Sequence, residues 1–124
     1  MADSTRYTDW LAKAAEEVES AEILLTNNGS NAVIAFLCQQ AVEKAFKGFI
    51  LKNKQELIDG HSLVYLCRKA IEVDNKFRIA VQESAFLNQF YIETRYPADI
   101  PTETTKDDAQ ECVRIANQIL KLVM

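Results

Sequence analysis

Only three glycines and two prolines interrupt the 124 residues of this chain. A β-sandwich or barrel of that length reverses direction every ten or so residues and needs turn formers at each reversal. So few breakers leave room mainly for long helices. Apolar residues make up 48% of the chain, enough to fill one core without disulfides or metal, and the length suits a single domain over 1–124.

Apolar periodicity places the helices. The first is expected from Thr8 or Asp9 to about Thr26, with Trp10, Ala14, Val18, Ala21 and Leu25 on one side. Asn27, Asn28 and Gly29 tolerate the left-handed backbone that ends helices. Ser30 is a plausible N-cap for a second helix reaching about Lys52, which is apolar around most of its circumference. Such a helix is either central to a bundle or half in a core and half in a subunit interface, and because it carries more apolar surface than one small bundle is expected to cover, a homodimer is predicted. Ser62 caps a short third helix bearing Leu63, Leu66, Cys67, Ala70 and Ile71. A fourth is expected from Lys76 to Thr94, ending before Pro97. Thr105 and Asp108 form a capping-box-like start to the last helix, whose seam is Ala109, Cys112, Ala116, Ile119 and Val123. The fold class that follows is all-α: an up-and-down antiparallel four-helix bundle with an additional short helix.

Charge and motifs exclude several functions. The longest apolar run goes only from Ala32 to Cys38, far short of the roughly 20 residues a membrane helix requires. The first residues lack the basic and apolar regions of a secretory signal, which makes a cytoplasmic location the expectation. A formal net charge of −4 provides no general attraction for nucleic acid, so any such contact has to be local. Cys38, Cys67 and Cys112 lie far apart on apolar stripes and read as buried thiols. With His61 the single histidine, neither an HExxH zinc site nor a paired Glu-x-x-His di-iron site can be built, and no metal or other cofactor is expected. Phosphate-binding glycine loops are absent as well.

What polarity the second helix has is concentrated in Gln40, Lys44 and Lys47, flanked by Gln39 and Glu43. Glu43 and Lys47 could simply support their own helix at i, i+4, or they could face a ligand. Three blocks then stand in order: Cys38-Gln39-Gln40-Ala41-Val42-Glu43-Lys44-Ala45-Phe46-Lys47, Gly60-His61-Ser62-Leu63, and Arg95-Tyr96-Pro97. With Trp10 near the start and Asp107-Asp108-Ala109 opening the last helix, they resemble the HEPN domain over almost the whole chain.

That resemblance implies a helical bundle, usually homodimeric and often encoded beside a minimal nucleotidyltransferase. Two activities go with the family: nucleotide or RNA binding, and metal-independent RNA cleavage by toxins that carry Arg followed four to six residues later by His. No arginine here has histidine at that spacing. The expected role is therefore a nucleotide- or RNA-binding module of a HEPN/nucleotidyltransferase toxin–antitoxin system. Its ligand-binding candidates are Gln40, Glu43, Lys44, Lys47, His61, Arg95 and Tyr96, with Tyr91 as a further stacking surface. The alternatives are an endoribonuclease using His61 and Arg95 as a displaced catalytic pair, and an interaction bundle without chemistry.

Overall fold

In a computed structural model, which describes residues 2–93, 97 and 103–124, the chain is helical and no strand occurs among the described residues. The helices are α1 (Tyr7–Thr26), α2 (Asn31–Lys54), α3 (Leu63–Val73), α4 (Val81–Asn88), α5 (Phe90–Glu93) and α6 (Lys106–Val123). A 3₁₀ segment, Asn75–Ala80, connects α3 to α4.

Local chemistry sets most of these boundaries. Asn28 adopts the left-handed backbone with φ +58°, which an asparagine tolerates better than a branched residue, and α1 ends there. Ser30 and Ser62 accept backbone N–H bonds from Val33 and Tyr65, so both expected caps form. Thr105 and Asp108 make the full reciprocal capping box at the start of α6.

The single long helix expected over Lys76–Thr94 is instead divided. Asp74 accepts the Lys76 N–H through its side chain, and this Asx turn starts the chain in the tighter 3₁₀ winding. Further on, the Asn88 side-chain oxygen accepts the N–H of Leu63 at 2.8 Å. Asn88 thus satisfies the free first amide of α3, and the helix breaks next to it, between α4 and α5. The expected end at Thr94 lies outside the described residues.

Helix α2 is the axis of the bundle and packs against α1, α3, α4, α5 and α6. Its residues Ile34, Ala35, Cys38, Ala41, Val42, Ala45, Phe46 and Ile50 are wholly buried. Of the two roles its apolar circumference allows, the chain supplies the central one by itself. The apolar surface of α2 therefore gives no reason for a second copy. Gly48 brings α1 close: a Cβ there would lie 2.8 Å from Leu11 Cδ2 and 3.1 Å from Trp10 Cβ. Helix α6 starts beside the α1–α2 turn, where Lys106 Nζ donates to Asn28 Oδ1, and it runs back along α1 to a bond from Asn117 to Glu22.

Cys38, Cys67 and Cys112 are free and buried. Burial, with the nearby negative groups Asp108 and Glu111 adding to it, pushes the Cys112 thiol up to about 12. Burial raises Cys38 as well, and Cys67 in the same direction.

Candidate functional site

The polar residues of α2 turn inward. Gln39 is fully buried, and Glu43 and Lys47 are only 5% and 6% exposed. Burying such groups is costly unless each finds a partner, and here they satisfy one another. Lys47 Nζ donates to Glu43 Oε2 at 3.0 Å. Gln40 Nε2 donates to Gln39 Oε1 at 2.7 Å, and Lys44 Nζ donates to Gln40 Oε1 at 3.2 Å. Lys44 Nζ also lies 3.0 Å from Glu17 Oε1 on α1, while the Lys47 ammonium sits over the Trp10 ring, 5.8 Å from its centre.

His61 completes the cluster from the loop before α3. Its Nδ1 is 3.0 Å and 3.1 Å from the two Glu43 carboxylate oxygens. The ring stacks on Tyr91 of α5, with centroids 4.5 Å apart and planes within 18°. Because an ionised carboxylate only accepts hydrogen bonds, Nδ1 carries the proton. A neutral imidazole held this way has its lone pair on Nε2. The His61 side chain is 53% exposed while that of Glu43 is 6% exposed. A buried carboxylate thus fixes the orientation of a ring that solvent can reach.

The sequence-predicted residues separate accordingly. Gln40, Glu43, Lys44, Lys47 and His61 do come together around one stretch of α2. Lys44 and Lys47, however, are each matched by a carboxylate, so the pair presents little uncompensated positive charge. Arg95 and Tyr96 lie outside the described residues. Sequence reasoning did not anticipate Glu17 or the stacking of Trp10 on Lys47, since both depend on the register of α1 against α2. Among the described residues no three of His, Cys, Asp and Glu cluster as metal ligands would, and no helix is long and apolar enough to cross a membrane.

The model of the HEPN domain matches residues 7–124. The chain belongs to the HEPN family. Similar proteins align with it over most of their length. A Methanocaldococcus jannaschii protein named "Putative toxin MJ1304" is 27% identical over 128 residues, covering 92% of this chain and 83% of its own. The crystal structure of TT1696 from Thermus thermophilus superposes with a TM-score of 0.82 at 30% identity, covering 97% of both chains. ST0689, described as an archaeal HEPN homologue, gives a TM-score of 0.74 at 30% identity, covering 95% of this chain and 94% of its own. The all-helical HEPN architecture is shared with these structures.

Proposed function

We propose that this HEPN chain is the nucleotide- or RNA-recognising module of a toxin-type system, partnered by a minimal nucleotidyltransferase, and that it meets its ligand at His61. The observation that carries this reading is the Glu43–His61 contact: a buried carboxylate orients a half-exposed imidazole whose Nε2 is left to address a ligand. Tyr91, stacked on the same ring, extends the contact surface, and Arg95 and Tyr96 are the further groups proposed to reach the ligand. The toxin name of the Methanocaldococcus relative supports the system assigned. A homodimer is part of the proposal, on the strength of the family likeness.

Titration with nucleotides and short single-stranded RNA at low salt, followed by calorimetry and amide ¹H–¹⁵N spectra, tests the reading. Wild type is expected to bind at least one of these ligands, with affinity that falls as salt rises and with amide shifts around His61 and Tyr91, and His61→Ala is expected to lose those shifts while melting like wild type. Absence of binding by wild type, or shifts around His61 and Tyr91 that persist undiminished in the variant, would reject it.

The same geometry favours a second reading. An imidazole fixed through Nδ1 by a carboxylate can act as a general acid or base through Nε2, which suits RNA cleavage without metal. Incubation with mixed RNA in the presence of chelator is expected to show little cleavage, because the Arg-to-His spacing of the nuclease members is missing. Strong cleavage abolished by His61→Ala in a folded protein would put this reading first.

A further inference from the structure

Beyond the second half of α3, away from His61, a cavity of about 340 Å³ opens between that helix and the segment that follows it. It is lined by Arg68 and Ile71 of α3, Arg78 of the 3₁₀ segment and Val81 at the start of α4. Two arginines on one cavity concentrate positive charge locally in a chain of net charge −4.

Their state of pairing is more telling. Most basic side chains of the described residues are tied to a carboxylate, as Lys44 is to Glu17, Lys54 to Glu72 and Arg114 to Glu83. Arg68 makes no hydrogen bond or ion pair with a described residue. The Arg78 Nε donates only to the side-chain oxygen of Asn75, a neutral acceptor. Among the described residues, the two guanidiniums that lack a carboxylate thus line the same cavity.

We propose that this cavity is a binding site for a phosphomonoester that carries an apolar or aromatic group, and that it is separate from the His61 site. Two guanidiniums supply two positive charges and planar donor forks that match phosphate oxygens. A phosphomonoester carries about −1.5 to −2 at pH 7 and balances them, whereas a carboxylate or an internal phosphodiester brings a single negative charge. The volume is near the lower end of the roughly 300–1,000 Å³ typical of small-ligand sites. It has room for a phosphate and one attached group, which Ile71 and Val81 would contact. Such a group arrives either as a free mononucleotide or as the 5′-phosphorylated end of an RNA.

The test combines calorimetry with amide ¹H–¹⁵N spectra, using adenosine monophosphate, adenosine, inorganic phosphate, and a short RNA with and without a 5′-phosphate. Adenosine monophosphate is expected to bind and to shift the amides around Arg68–Ile71 and Arg78–Val81, adenosine not to bind, and inorganic phosphate to bind more weakly. Affinity should fall below about pH 6, where the phosphate loses its second charge. Arg68→Ala with Arg78→Ala is expected to weaken binding at least about tenfold, or about 1.4 kcal/mol, and His61→Ala to leave these shifts in place. Arg68→Lys with Arg78→Lys keeps the charge and removes the fork, so it should fall between the two and serves in place of the alanine pair if that pair fails to fold. Tighter binding of the 5′-phosphorylated RNA than of the mononucleotide would identify an RNA end as the source, and the reverse a free nucleotide. No binding of any phosphomonoester at about 1 mM would overturn the proposal. So would equal affinity in the arginine variants, or shifts centred on His61 alone.

Discussion

Glu43 holds two cationic or donor groups at once, the Lys47 ammonium and the His61 ring, and its side chain is 6% exposed. Removing one member of a buried ion pair leaves the other charged in a poor solvent, which typically costs about 3–5 kcal/mol, whereas replacing both by apolar residues of similar size is often close to neutral. Glu43→Ala should therefore lower unfolding stability by about 3 kcal/mol. Glu43→Leu with Lys47→Met should recover most of that loss. Urea denaturation decides, and a single variant as stable as wild type would mean that water reaches Lys47 freely. The sequence brought Glu43 and Lys47 to notice as polar residues on an apolar helix, but it offered two uses for them. Their burial was not legible, because it depends on Trp10 and His61 closing over them from other parts of the chain.

At the level of helices, α1, α2, α3 and α6 were legible because each combines an apolar stripe with a recognisable cap or stop. The stretch after Asp74 was not, since its helical periodicity continues through positions where side chains interrupt it. Asn88 is the example: nothing in its neighbours says that its amide will be used by Leu63, 25 residues away. Gly48 was equally silent, being a glycine inside a helix with no turn to explain it. Its place is set by α1, and this gives a prediction against helix propensity. Alanine gains about 1 kcal/mol over glycine in a helix interior, but a Cβ 2.8 Å from Leu11 Cδ2 displaces that methyl group, and at 3.1 Å from Trp10 Cβ it presses on α1 itself. Overpacking of this kind costs about 1–3 kcal/mol, so Gly48→Ala should lose about 1 kcal/mol net. Leu11→Ala in the same chain should relieve part of the crowding. A thermal melt of Gly48→Ala above that of wild type would show that α1 yields without cost.

For the molecule as a whole, the buried thiols set an alkaline limit. An unfolded cysteine ionises near its ordinary value of 9.0, while Cys112 stays protonated up to about 12 and Cys38 is raised as well. Between those values the unfolded chain has released protons that the folded chain keeps. Stability is then fully present below about pH 9 and falls as pH rises, by up to about 1.4 kcal/mol per pH unit for each such thiol. The urea midpoint should drop between about pH 9 and about pH 11, and drop less in the Cys38→Ala, Cys112→Ala double variant. Equal drops would assign the effect to other groups.

Because α2 is enclosed by its neighbours for most of its length, its central amides can reach solvent only when the whole bundle opens. Their hydrogen-exchange rates therefore report global unfolding rather than local fraying. A ligand that binds only the folded chain lowers the population of that open state by the factor 1 + [L]/Kd, wherever on the surface it sits. The amides of Val42 to Phe46 thus act as an internal gauge on which occupancy at His61 and occupancy at the arginine cavity register on one scale, and a weak ligand leaves its mark there without touching the helix that records it.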